Sequence, residues 1–193
     1  MKQFSCTNPT QFIVQTALIA ALYAAATLVT MFVLQGLAFG PIQLRVSEAL
    51  VVLALFTPAA IPGLTLGCVI ANLVALVMNG LGALGLLDVI FGSFATFLGA
   101  LWCWKLRSKT FVALLGPVLA NALIVPAYLP FLLQGLGFYS IPFTDISLDG
   151  IYLSMYLFGL VSIAISESLV VYLLGFPLVK MFAGMKGTNK ARD

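Results

Sequence analysis

Six blocks of apolar sequence run along the chain, at 12–34, 46–57, 62–78, 88–104, 111–133 and 151–179. A helix that crosses a bilayer needs about 20 apolar residues at a rise of about 1.5 Å each. The first block is 23 residues without a charge. That exceeds the apolar core of about 7–15 residues in a signal peptide, so it predicts a retained helix. The second block is short and stops at Thr57-Pro58; Pro62-Gly63 opens the third, proline being well suited to a first helical turn. Asp88 starts the fourth, Pro117, Pro126 and Pro130 are expected to interrupt the fifth, and the sixth ends near Pro177. No linker or shift in composition divides the chain, so the pattern predicts one all-α membrane domain over 1–193 with six transmembrane helices.

Composition strengthens this reading. Of 193 residues only 15 are charged, 9 Lys+Arg and 6 Asp+Glu, and 62% are hydrophobic. An ordinary soluble domain has roughly 25% charged and 45–50% apolar residues, and no soluble body of this size could hide so much apolar surface. The bilayer is therefore the expected solvent. The same composition excludes a disordered chain and a disulfide-stapled secreted module, and a net charge of +3 is too small for a nucleic-acid surface. Histidine is absent, which removes a Ser-His-Asp triad, His-ligated zinc or haem iron, and an imidazole proton shuttle. Cys6, Cys68 and Cys103 form no C-x-x-C pair and read as small apolar residues. Neither a metal nor a cofactor is expected. A Walker phosphate loop is also missing, so uphill movement of a solute would need an ion gradient or a partner.

The few charges carry orientation. Lys2, Lys105, Arg107, Lys109, Lys180, Lys186, Lys190 and Arg192 fall on one set of helix ends and Arg45 on the other. Eight bases against one predict that both termini are cytoplasmic. The outer connections are longer than the inner ones, and the stretch 134–150 holds Phe138, Tyr139, Ile141 and Phe143. It reads either as a lid folded over the bundle or as a loop resting on the interface.

Ionisable groups inside membrane spans are costly and usually face a protein interior or a water-filled cavity. Arg45 and Glu48 lie three apart at the outer start of the second block, either as a local ion pair or directed into an outward-facing pocket. Asp88 is either an N-cap or a site residue. Glu167, deep in the sixth block among Ser162, Ser166 and Ser168, is either a ligand or relay or a paired packing group. Asn121 is expected at a similar depth and Asn72 nearer the outer surface, as ligands or as glue between helices. Asp145 and Asp149 read as turn and capping residues.

Gly80-Leu-Gly82-Ala-Leu-Gly85 has the letters of a dinucleotide loop but follows a membrane span, and reads as an outer turn. Gly63-x-x-x-Gly67 is a close-packing signal. Ala17, Ala21 and Ala25, with Ala20 and Ala24 beside them, form a small-residue groove on the first helix. It serves either the protein's own bundle or a separate membrane subunit.

Three segments carry a resemblance: Pro41-Ile-Gln-Leu-Arg-Val-Ser-Glu-Ala-Leu50, Phe56-Thr-Pro-Ala-Ala-Ile-Pro-Gly63 and Asp88-Val-Ile-Phe-Gly-Ser-Phe-Ala-Thr96. With the size and six-helix plan they resemble the substrate-binding S-components of energy-coupling factor (ECF) transporters, and more narrowly the QueT group, assigned to uptake of queuosine precursors. The resemblance implies a bacterial plasma-membrane subunit without a motor of its own. It binds substrate near the outer face and docks through an A-x-x-x-A motif, matched by Ala17, Ala21 and Ala25, to a transmembrane coupling subunit carrying two cytoplasmic ATPases. A 7-deazaguanine such as preQ0, preQ1 or queuine needs a carboxylate for its donor edge, an amide or Arg for its oxo group and a flat apolar slot. Arg45, Glu48, Asn72, Asp88, Asn121 and Glu167 supply the polar types, with Glu48 and Glu167 first for the donor edge. Phe91, Tyr128 and Tyr139 are the stacking candidates. The competing readings are a self-sufficient proton-coupled carrier using Glu167 and, far behind, an intramembrane enzyme built on paired acids.

Overall fold

The computed structural model describes residues 8–33, 43–80, 82–133 and 151–189, with side chains to 183. All secondary structure among the described residues is helical. Five segments are long and apolar enough to cross a membrane. They are α1 (Pro9–Val33), α3 (Ala60–Asn79), α4 (Gly82–Lys105), α5 (Thr110–Leu133) and α6 (Tyr152–Ala183, the helix itself running on to Asn189). The remaining helix, α2 (Val46–Leu55), has ten residues and winds as a 3₁₀-helix. At about 2.0 Å per residue it covers about 20 Å, where ten α-helical residues would cover about 15 Å.

Lipid as solvent inverts the usual amphipathic logic. The interior face of α1 holds Ile19, Ala20, Tyr23, Ala24, Thr27 and Thr30, a stripe at steps of one and three that includes its polar residues. Ile13, Leu18, Leu22, Val29 and Phe32 are exposed, as expected for side chains meeting acyl chains. Close packing sets the α1–α3 contact: a Cβ on Gly67 would lie 2.7 Å from the Ala20 carbonyl oxygen, and one on Gly63 would lie 2.9 Å from Ile19 Cβ. Ala20 and Ala24 are buried, whereas Ala17, Ala21 and Ala25 are exposed. The alanine-rich helix thus has two small-residue faces, one consumed by the bundle and one left outside.

Several boundaries differ from the sequence expectation. The third helix begins at Ala60, so Pro62 falls inside its first turn, where its missing N–H is harmless. Pro117, Pro126 and Pro130 do not interrupt α5, which is continuous. Neighbouring glycines make room for two of them: Gly99 packs on Pro117 and Gly159 on Pro126. Nor does Pro177 end the last helix. In a membrane, neighbouring helices and local adjustments tolerate such prolines.

Two π turns break the regular winding, Asp88–Gly92 in α4 and Leu169–Leu174 in α6. One starts at a buried acid and the other follows Glu167 by two residues. Such insertions are frequent at functional sites. Gly80, at φ +62°, terminates α3 in the left-handed conformation, whereas Gly82–Gly85, expected as part of an outer turn, winds as a 3₁₀-helix at the start of α4.

A buried polar core as candidate functional site

The short helix α2 lies inside the bundle, with Ser47, Glu48, Ala49, Val51, Val52, Ala54 and Leu55 buried. It carries Glu48 among α1, α3 and α4. Tyr23 of α1 donates a hydrogen bond to Glu48 Oε1. One turn along, Thr27 donates to Ser47 Oγ at 2.7 Å. Glu48 is 1% exposed, and its Oε2 has no hydrogen-bond partner among the described residues.

Arg45, immediately before α2, forms an ion pair with Asp88 Oδ2 at 3.3 Å. Arg45, expected either in a local pair with Glu48 or directed into a pocket, thus reaches across to α4. Asp88 Oδ1 accepts a 2.5 Å hydrogen bond from the Tyr128 hydroxyl of α5. Asn72 Nδ2 of α3 donates to the Asp88 carbonyl at 2.8 Å. Asp88 makes no capping bond; the residue before it is already helical, which overturns the N-cap alternative. Three segments thus converge on one residue of α4, two on its carboxylate and one on its backbone carbonyl. Gly92 makes the convergence possible, because a Cβ there would lie 3.0 Å from Asp88 Oδ1, 3.1 Å from Asn72 Nδ2 and 3.2 Å from Tyr128 Oη.

Glu167 is buried in α6 and accepts a 2.9 Å hydrogen bond from Asn121 Nδ2 of α5, the partner depth expected from sequence. Ser162, Ser166 and Ser168 turn back onto helix carbonyls instead. Among the described residues, the buried charged side chains are Arg45, Glu48, Asp88 and Glu167. No three Asp, Glu or Cys side chains among them come together to hold a metal ion.

The aromatic candidates separate. Tyr128 is buried in the core, whereas Phe91 is exposed and stacks on Tyr128 from outside, ring centroids 5.9 Å apart. Phe91 is a wall of the polar core and not a member of it. Tyr139, with the rest of the 134–150 stretch and its lid or interface alternatives, lies outside the described residues, as do Asp145 and Asp149.

Sequence reading missed Tyr23, Gln43, Ser93 and Thr96. Gln43 Nε2, Asn72 Oδ1 and Ser93 Oγ are buried without a partner among the described residues. Thr96 reaches Cys68 Sγ at 3.4 Å. A signal for Tyr23 existed: it shares a helical face with Thr27 and Thr30 and stands in mid-helix, away from the interfacial belts where Tyr concentrates.

A sequence model of the QueT transporter family matches residues 13–183. The chain belongs to the QueT transporter family. It is similar to the queuosine precursor transporter QueT of Lactococcus lactis subsp. cremoris (strain MG1363), at 36% identity over 89 residues. That match covers 46% of this chain and spans about half (47%) of the relative's length. No solved structure matches the chain. Family membership and five long apolar helices are those of a multi-pass membrane protein, consistent with a bacterial cell membrane.

Proposed function

We propose that this QueT-family chain is the substrate-binding membrane subunit of an ATP-driven ECF-type importer, and that it takes up a queuosine precursor of the 7-deazaguanine class. The observation that carries the reading is the buried polar core, where Gln43 Nε2, Glu48 Oε2, Asn72 Oδ1 and Ser93 Oγ have no hydrogen-bond partner among the described residues. Buried polar groups are ordinarily paired, and each unpaired one costs about 1–3 kcal/mol. A ligand bringing the complementary donors and acceptors removes that cost. Glu48 and Glu167 are the acceptors for the donor edge of the base. Arg45, Asn72, Asp88 and Asn121 frame the remaining polar contacts, and Tyr128 offers a flat ring, with Phe91 behind it and Tyr139 as a further stacking candidate.

Docking belongs to the outside of α1. Ala17, Ala21 and Ala25 are exposed on one stripe, a surface on which another helix backbone can approach closely. The partner is a transmembrane coupling subunit carrying two cytoplasmic ATPases. The energy source is external because the chain has no phosphate loop. The proposed topology is six crossings with cytoplasmic termini, α2 being the short crossing. The eight bases on one set of helix ends support it.

Purified protein in detergent, warmed with a deazaguanine series, tests the substrate. A ligand at 100 times its Kd stabilises the fold by about 2.7 kcal/mol, and a folded protein that none of the series stabilises overturns the assignment. Affinity capture tests the class. Recovery of a coupling subunit with ATPases is expected; uptake by the chain alone in proteoliposomes, driven by a pH gradient and lost in Glu167→Gln, would favour a proton-coupled carrier.

A further inference from the structure

Away from the polar core, α4 and α5 pack on each other and leave an outward-facing groove of about 400 Å³. On α4, Leu98, Leu101, Trp102 and Lys105 line it at i, i+3, i+4 and i+7, a single helical stripe. On α5 the small residues Gly116 and Ala120 open the space, and the exposed Leu119 and Leu123 border it. Trp102 is fixed in place: its Nε1 donates to the Val112 carbonyl at 3.1 Å, and a Cβ on Gly116 would collide with its ring. The groove is therefore preformed. From Leu98 to Lys105 it follows about 10 Å of helix axis, about a third of the hydrocarbon thickness.

Its chemistry changes at the Trp102 end. Among the described residues lining it, Lys105 alone is charged. The Lys109 carbonyl accepts from the Ala113 N–H at 2.8 Å, which puts Lys109 on the same stripe as Val112 and Gly116. Both lysines are exposed. Neither has an acidic partner, because the acids among the described residues, Glu48, Asp88 and Glu167, are buried in the core. Arg107 between them is occupied, its guanidinium 4.0 Å over the Trp104 ring and donating to the Trp104 carbonyl at 2.9 Å. Orientation in the bilayer accounts for bases at this end of the helices, but not for an apolar groove that ends on one of them.

We propose that the α4–α5 groove binds one anionic phospholipid, an acyl chain lying along Leu98, Leu101 and Ala120 and the phosphate held by Lys105 and Lys109. Basic pockets between membrane helices take anionic head groups in this way. A partner helix fits the groove less well, since close approach needs a stripe of free small residues. Here Gly116 is already covered by Trp102, and the exposed Leu119 and Leu123 stand beside Ala120. The alanine stripe belongs to α1, which packs on α2 and α3, so the lipid site and the proposed docking face are separate surfaces.

Native mass spectrometry of the full chain in mild detergent, titrated with phosphatidylglycerol or phosphatidylcholine of identical chains, tests this through the Kd of the first lipid bound. Each base near an anionic head group is worth about fivefold, so phosphatidylglycerol should bind about 5- to 30-fold more tightly. Lys105→Gln should reduce that preference about fivefold. Lys180→Gln, which removes an exposed base of α6 outside the groove, should leave it unchanged. Ala120→Leu fills the groove without touching its charges and should weaken both lipids alike by about threefold or more, through lost van der Waals contact. Should that variant not fold, the two lysine variants decide. Equal binding of the two lipids, a preference that survives Lys105→Gln, or one that falls equally in Lys180→Gln would overturn the proposal. Displacement of the lipid by glycerol phosphate at the same concentration would make the site one for free phosphate and overturn it too. So would an Ala120→Leu chain that keeps its lipid but no longer captures a coupling subunit, since the groove would then be a protein interface.

Discussion

Arg45 and Asp88, 43 residues apart in the chain, form a buried ion pair at 3.3 Å that ties the lead-in of α2 to the π turn of α4. Breaking such a pair from one side strands the other charge and costs about 3–5 kcal/mol. Asp88→Asn alone should therefore lower thermal stability in detergent sharply. The double variant Arg45→Met/Asp88→Leu should recover most of that loss, because apolar replacement of a buried pair is often neutral or stabilising. The double variant should nevertheless fail to bind substrate.

Gly92 tests whether the geometry of this cluster matters beyond its charges. A methyl group there meets Asp88, Asn72 and Tyr128 at 3.0–3.2 Å, tight enough that one of the three polar atoms must shift. Gly92→Ala should cost about 1–3 kcal/mol as overpacking. Ligand affinity should fall by more than tenfold, about 1.4 kcal/mol, under conditions where the protein remains folded. Equal loss of stability and no loss of affinity would put the ligand elsewhere.

The two faces of α1 should respond oppositely to the same chemical change. A Cβ on Gly67 would lie 2.7 Å from the Ala20 carbonyl oxygen, and backbone cannot give way. Gly67→Leu should abolish folded, monodisperse protein. Ala21 is exposed, so Ala21→Leu should change stability by no more than about 0.5 kcal/mol and leave substrate binding intact. Under the proposed assembly it should still reduce recovery of the coupling subunit in affinity capture by at least about tenfold, which corresponds to about 1.4 kcal/mol.

Much of this was legible because lipid imposes simple rules. Long apolar blocks predicted the helices, and the rarity of polar groups in and beside them singled out Arg45, Glu48, Asp88, Asn121 and Glu167, all of which are buried. Pairings were not legible. Arg45 and Glu48 three apart left a local bridge and a pocket-facing pair equally open, and only the tertiary structure brings Asp88 from another segment to Arg45. The prolines of α5 misled for a related reason: their tolerance depends on glycines at 99 and 159 in other helices. Phe91 and Tyr128 were alike as aromatic residues in apolar helices, and only tertiary packing puts one outside and the other inside.

The Asn121–Glu167 hydrogen bond at 2.9 Å distinguishes ordinary helix glue from a working carboxylate by its strength. Interhelical polar contacts in membrane proteins average about 0.6 kcal/mol in double-mutant cycles, whereas a hydrogen bond to an ionised group is worth about 1.5–3 kcal/mol. A cycle built from Asn121→Ala, Glu167→Gln and their combination, read by unfolding in detergent, should give a coupling in the higher range under the proposed role of Glu167 as an ionised acceptor for the ligand's donor edge. A coupling near 0.6 kcal/mol would make Glu167 a neutral packing group. In that event Glu167→Gln should leave ligand affinity unchanged as well, so the stability cycle and the binding measurement check one another.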